Sequence, residues 1–400
     1  MATTASCHRV THDPYEFKDN KMNFHNIKTK LEARTKMLKG EWPGRGCEHC
    51  KSTEDAGGHS DRMSHLNMHG VTAPKELTND LDAVNVTPTQ LEIYFSNTCN
   101  LKCLYCNSKF SSTIDNENRI HGEWVHGDQK DFGKNLYLPG KVEINPNIEE
   151  DTDKLFAWLD EHIHELNKVM ILGGEPFLQK ETERMVELLE RMSNPNLTLV
   201  VFSNLTVDPA RVQKWLARMW NLVERGKLNN LQVVGSLDCW GPQAEYVRNG
   251  LDLNKYVENM EFILHNTKIT PSINSAMTAL TIPTLPDLIV QLNKWSKVRE
   301  VYWSGMKAGD AGRPYLNPTI FGKDILPLGI DEAIEVYETN GDAIKQAQLN
   351  NLKGIRTECA DTEPDLLQQK LLKLYIKELD RRRNTDYTKL FPTIDKLLNS

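Results

Sequence analysis

The chain has 400 residues, with 48 Lys and Arg against 55 Asp and Glu and a formal net charge of -7. Mixed charge of this kind makes no broad basic field, which excludes nucleic acid as the default partner, and no apolar run approaches the ~18 residues of a membrane span. The first residues, MATTASCHRVTHDPYEF, have neither a charged nor an apolar leader segment, so a cytoplasmic protein is expected; eight cysteines, mostly clustered, read as metal ligands in a reducing compartment rather than as a disulfide framework.

In chain order, residues 1–75 read as a small module carrying Cys7, Cys47 and Cys50 around a basic helical stretch near 27–39. The following GEWPGRGCEHCKSTEDAGGHSDR reads as turn, cysteine knuckle and loop, because Pro and paired glycines punctuate it. A linker with little pattern, roughly 71–88, follows. From 88 to 306 short β-rich runs alternate with amphipathic segments, the pattern of βα units on a parallel sheet. Six strands are expected: LEIYFS (91–96), KVMILGG (168–174), LTLVVFSN (197–204), LQVVGSLD (231–238), SINSAMTALTI (272–282) and REVYWSG (299–305). Between them, Leu155, Phe156, Leu159, Ile163 and Leu166 recur at helical spacing, as do Met185, Leu188, Leu189 and Met192, which predicts crossover helices with one apolar stripe.

Residues 107–150 break the rhythm with Asn, Gly, His and Asp, and are expected to be an insertion over the strand ends. Residues 310–400 read as a loop and then a helical extension, with helices near 330–349 and 364–383; Arg381, Arg382 and Arg383 read as a solvated helix end. The fold expected is α/β, a partial (β/α)6 TIM-like barrel with an N-terminal cysteine-containing module and a helical C-terminal extension.

CNLKCLYC follows the first expected strand and places Cys99, Cys103 and Cys106 on one loop. Disulfide pairing leaves one thiol over, and a structural zinc site needs four closed ligands, whereas three from one loop leave a metal position open for chemistry. With the aromatic Tyr105 just before the last cysteine, the run resembles the CxxxCxφC signature of radical S-adenosylmethionine enzymes. That resemblance implies that Cys99, Cys103 and Cys106 hold a 4Fe-4S cluster whose remaining iron is chelated by S-adenosylmethionine, and that Tyr105 lines the cofactor site. It also implies reductive cleavage to methionine and a 5'-deoxyadenosyl radical, which takes hydrogen from substrate, with a flavodoxin- or ferredoxin-type electron donor.

ILGGEPFL at 171–178 is similar to the family's GGEP motif. By that likeness Gly173 and Gly174 let the backbone approach the methionine moiety, Glu175 accepts from its amine, and Pro176 completes the motif. GSLDCWGPQAEYVRNG is similar to the family's serine-to-arginine stretch, which implies cofactor contacts for Ser236 and Arg248, and a ribose contact for Asn204 at the end of the third strand. Asp238 reads either as a catalytic or cofactor contact or as a helix cap. Cys239, where many relatives have glycine, reads either as a buried inert thiol or as a hydrogen-atom donor or cluster ligand near the active site; Cys359 reads as a plain thiol, with a cluster position as the alternative.

The N-terminal module is similar to a twitch or SPASM auxiliary-cluster module placed before the barrel. CEHC at 47–50, with Cys7 and His8 completing the set, fits an auxiliary iron-sulfur cluster or structural zinc, and His49 reads as a spacer. Relatives with such modules modify peptides or proteins, so a peptide or protein substrate is the first expectation. A nucleotide or sugar is the alternative within the enzyme class, and a zinc-stabilised, non-catalytic binding protein the alternative outside it.

Overall fold

The computed structural model of the chain describes residues 2–7, 13–15, 24–44, 46–55, 57, 60–68, 86–122, 147–308, 313–339 and 346–399. His8, residues 71–85 of the expected linker, 123–146 of the expected insertion and 309–312 of the expected loop lie outside the described residues. The chain divides into two units, Met1–Leu91 with Glu143–Asn167, and Glu92–Val142 with Lys168–Ser400.

Among the described residues all six expected runs form one sheet: β1 (Gln90–Tyr94), β2 (Lys168–Leu172), β3 (Asn194–Ser203), β4 (Leu228–Ser236), β5 (Ser272–Met277) and β6 (Tyr302–Lys307). Their order across the sheet is their order in the chain, with β1 at one edge and β6 at the other. The pairs from β2 to β6 are parallel, as right-handed βα crossovers require. Alternation sets the faces: Val169 and Ile171 of β2, Leu199 and Val201 of β3, and Leu231 and Val233 of β4 are wholly buried.

Five strands stop short of their expected ends. β1 ends at Tyr94 rather than 96, β2 at Leu172 rather than 174, β3 at Ser203 rather than 204, β4 at Ser236 rather than 238 and β5 at Met277 rather than 282. In each case the last residues of the hydrophobic run leave the ladder and form loops at the carboxyl edge. The third begins earlier, at Asn194, through an irregular register that accommodates Pro195, a residue without a ladder donor.

The crossovers are helical: α1 (Lys180–Arg191), α2 (Pro209–Glu224), α3 (Leu253–Asn266) and α4 (Leu285–Ser296). α1 buries Met185, Leu188 and Leu189 as the spacing predicts, while Met192 is its cap rather than part of the stripe. α2 starts cleanly because Asp208 accepts from Arg211 N and Pro209 opens the first turn, where its missing N–H costs nothing.

Beyond the sheet come α5 (Ile330–Thr339), α6 (Gln346–Asp361) and α7 (Leu366–Arg383). The solvated reading of the arginine run at the end of α7 is corrected for two of its three residues. Arg381 is exposed, but the side chains of Arg382 and Arg383 are 0% and 6% exposed and pair with Glu378 and Glu117. Buried carboxylates, not solvent, face the last turn.

In the first unit Ala2–Thr4 pairs antiparallel with Asp13–Tyr15, and helices span Lys28–Leu38, Glu48–Asp55, Asp61–Met68 and Ile148–His162. The expected knuckle and loop is thus largely helical. Gly46 N donates to Glu48 Oε2 at 2.7 Å, which closes the turn ahead of the helix that contains Cys50.

Candidate active site

The site assembles where the parallel strands end. β1 delivers the cysteine loop, and buried Leu101 and Leu104 anchor it between the thiols. Lys102–Cys103 makes a short antiparallel ladder with Arg248–Asn249, so Cys103 is opposite Arg248. The back of the loop is tied down by hydroxyls: Ser111 Oγ and Thr113 Oγ1 each donate to Leu101 O at 2.7 Å, and Cys99 N donates to Ser112 Oγ at 3.1 Å. Leu101 N also donates to Cys99 Sγ at 3.5 Å, so one of the three thiols takes part in holding the loop's backbone.

Gly173 and Gly174 serve this loop. Gly174 N donates to Ser96 O at 3.1 Å and Glu175 N to Thr98 O at 2.7 Å, docking the end of β2 against the run that enters Cys99. A Cβ on Gly174 would fall 2.1 Å from Thr98 O, and one on Gly173, which has φ +112°, 2.9 Å from Ser96 O. Only glycine permits this backbone approach. The close partner of the glycines is thus the chain's own backbone.

The Glu175 carboxylate is wholly buried and accepts three hydrogen bonds, from Ser203 Oγ at 2.8 Å, Asn204 N at 2.7 Å and Phe177 N at 3.1 Å. Burial pushes its pKa up to about 7 against the pull of those donors. The group fastens the end of β2 to the end of β3. Asn204 extends the link by donating from Nδ2 to Asn100 Oδ1 inside the cysteine loop at 2.8 Å. Leu205 follows at φ 50°, an uncommon backbone for a leucine, held by Leu205 N donating to Ser203 Oγ at 2.9 Å. Pro176 opens a buried 3-10 turn, Pro176–Leu178.

Asp238, also wholly buried, gathers the other half of the site. It accepts from Arg248 Nη2 at 2.7 Å, from Ala276 N of β5 at 2.8 Å and from the Tyr105 hydroxyl at 3.0 Å. Arg248 Nη1 stands 3.8 Å from Cys103 Sγ, and its guanidinium lies over the Tyr105 ring at 5.5 Å from the centroid. Burial pulls Arg248 down, but Asp238, Tyr105 and Cys103 together outweigh it and push the guanidinium above its ordinary value. Nε of Arg248 is buried with no hydrogen-bond partner among the described residues. Asp238 thus joins β4, β5, the cysteine loop and Arg248, which a helix cap would not do.

Ser236 is half-buried at the end of β4, and Cys239 is wholly buried, its thiol pushed up by burial and then by Asp238. Cys359 is buried on α6. In the first unit the Cys47 thiol is pushed up by burial, and then by Glu48, Cys7 and Cys50.

Among the described residues no three His, Cys, Asp or Glu side chains surround one point closely enough for a single metal ion. Thiols at the corners of an iron-sulfur cluster stand around a body several ångströms across. Three free, half-buried thiols on one loop beside a buried cation suit that donor chemistry. Burial raises all three, Cys99 to about 12, so they are poor thiolates until a positive centre takes their protons' place.

Besides the loop hydroxyls of Ser111, Ser112 and Thr113, five contributors escaped the sequence reading: Asn100, Ser203, the Ala276 amide, Arg313 and Tyr375. Arg313, 5% exposed, donates from Nη1 to Leu104 O at 3.0 Å and from Nη2 to Cys106 O at 2.9 Å, and the Tyr375 hydroxyl of α7 donates to Leu104 O at 2.6 Å. Ser203 precedes a residue that was singled out, and Asn100 sits inside the cysteine run; the other three carry no local signal.

Residues 93–263 match the model of the Radical SAM superfamily. No curated protein matches the chain. Among solved structures, anSMEcpe with bound AdoMet is similar at 16% identity and a TM-score of 0.40, over 64% of this chain and 61% of that one. Streptococcus suis SuiB is similar at 15% identity and a TM-score of 0.37, over 70% of this chain and 56% of that one. Methylornithine synthase is similar at 13% identity and a TM-score of 0.34, over 74% and 76%. The chain spans less than two thirds of the length of the first two. No helix among the described residues is long and apolar enough to cross a membrane.

Proposed function

We propose that this protein is a radical S-adenosylmethionine enzyme whose cluster is held by Cys99, Cys103 and Cys106 and whose substrate is a peptide or protein. The observation that carries the reading is the cysteine loop itself: three thiols on one segment at the carboxyl edge of a parallel sheet, within the residues that match the superfamily. When bound, the cluster supplies the electron that breaks a carbon-sulfur bond of the sulfonium cofactor.

The chain's own residues bind and orient. Cys99, Cys103 and Cys106 supply the thiolates; Gly173 and Gly174 set the entry to the loop; Glu175 and Asn204 lock it to β3. Asp238 holds Arg248 and Tyr105 in place, leaving Arg248 beside Cys103 as a fixed cation that favours the thiolate. Ser236 and the orphaned Arg248 Nε are the polar groups we assign to the cofactor. Leu101, Leu104 and Leu205 keep water from the base of the site. Cys7, Cys47 and Cys50 hold an auxiliary iron-sulfur cluster in a twitch-like module, and that likeness is what favours a peptide over a nucleotide or sugar. A cytoplasmic flavodoxin or ferredoxin is the electron source in this reading.

The test is anaerobic reconstitution with iron and sulfide, reduction in the presence of S-adenosylmethionine, and assay of 5'-deoxyadenosine, beside a variant with alanine at 99, 103 and 106. Wild type is expected to form the product and the variant not to. Tight zinc binding with no cluster would overturn the assignment. Mass shifts in peptides, with none in nucleotides or sugars, are the expected outcome of a substrate screen.

A further inference from the structure

The geometry points to Arg313 and Tyr375, from beyond the barrel, as positioning residues that hold the cysteine loop in shape for its cluster; the inference rests on the proposed reading of Cys99, Cys103 and Cys106. Leu104 O and Cys106 O flank the last ligand, and both are capped by the one guanidinium, at 3.0 and 2.9 Å. Tyr375 adds a second bond to Leu104 O at 2.6 Å and accepts from Arg313 Nη1 at 3.3 Å, with the guanidinium 5.7 Å from its ring centroid. Arg313 is thus fixed from both sides in a buried setting, where bonds from a charged donor are strong. A second tie runs in parallel: Arg383 pairs with Glu117 at 3.1 Å, and Glu117 pairs with Lys102 at 2.9 Å, next to Cys103. α7 therefore grips the loop near two of its three thiols.

Two consequences are separable. The hydrogen bonds fix loop shape and hence retention of iron, while the charge of Arg313 beside Cys106 favours an added electron on the cluster. The experiment compares reconstituted wild type with Arg313→Gln, Arg313→Lys and Tyr375→Phe. Iron release to a chelator and the cluster's midpoint potential by EPR titration are the readouts, and circular dichroism reports the fold. Tyr375→Phe, which loses one buried hydrogen bond to the loop, is expected to release iron on the order of tenfold faster than wild type, and Arg313→Gln, which loses up to two, at least as fast. The midpoint falls in Arg313→Gln, returns with lysine, and is unmoved in Tyr375→Phe. If Arg313→Gln fails to fold, Tyr375→Phe, which loses one hydroxyl, decides by release rate alone. Release rates and potentials equal to wild type in every folded variant overturn the inference while leaving the proposed function intact. A wild type that takes up no iron overturns both.

Discussion

Arg248 and Asp238 form a buried ion pair, Nη2 to Oδ1 at 2.7 Å, with side-chain exposures of 8% and 0%. The pair links the stretch after β4 to the cysteine loop, because the same guanidinium stands against Cys103 and the same carboxylate takes the Tyr105 hydroxyl. Removing one partner leaves the other charge without compensation. Asp238→Ala is expected to lower the stability of the apoprotein by about 3 to 5 kcal/mol, and Asp238→Ala with Arg248→Met to recover part of it. Urea unfolding of the two single variants and the double decides, and a double variant no more stable than Asp238→Ala contradicts a coupled pair.

The three loop cysteines and the three N-terminal ones are expected to bind metal independently. Alanine at 99, 103 and 106 should remove about four irons per chain, and serine at 47 and 50 should leave them in place while removing any metal of the first unit. Iron, sulfide and zinc analysis of each variant reads this directly. Loss of the loop cluster in the 47/50 variant would show that the two sites fold together.

Gly174 tolerates no side chain without movement of the cysteine loop. Gly174→Ala places a methyl 2.1 Å from Thr98 O, so it is expected to destabilise by on the order of 3 kcal/mol and to weaken iron retention. Gly354→Ala, with nothing within 4 Å and, like Gly174, no left-handed φ, is the control for a methyl added without a clash. Equal effects at the two positions would remove the steric argument.

Glu175 makes stability depend on pH. Its folded pKa is raised, from 4.5 to about 7, so the folded state binds the proton more tightly than the unfolded chain. The contribution is fully present below about pH 4.5 and is lost as pH rises through about 7, a swing of roughly 3 kcal/mol by linkage. Glu175→Gln is expected to abolish this slope, though with a lower baseline because the amide nitrogen then faces either Asn204 N or the pair Ser203 Oγ and Phe177 N, all of them donors. Urea midpoints of wild type and variant between pH 4.5 and 7.5 measure it, and parallel pH profiles would refute it.

Strand number and placement were legible because β2, β3 and β4 are buried on alternate residues and read as β-rich runs between helical stripes. Their carboxyl ends were not, because Gly173 and Asp238 continue an apolar run in sequence while their backbones have already turned into the site. The cysteines and glycines stood out as local motifs. The partners of Glu175 and Asp238 did not, since the Ser203 hydroxyl and the Ala276 amide are ordinary strand-end groups until the sheet aligns them. The arginines at 382 and 383 looked like solvent-facing charge because Glu117, which neutralises Arg383, lies 266 residues away.

Such separations also set an order of events. The Leu104 carbonyl waits 209 residues for Arg313 and 271 for the Tyr375 hydroxyl, so while the chain is being made the ligand loop exists without its clasp. Contacts of that span close late, after the local βα units have formed. A growing chain thus presents three thiols on an unfastened segment first and on a fastened one afterwards.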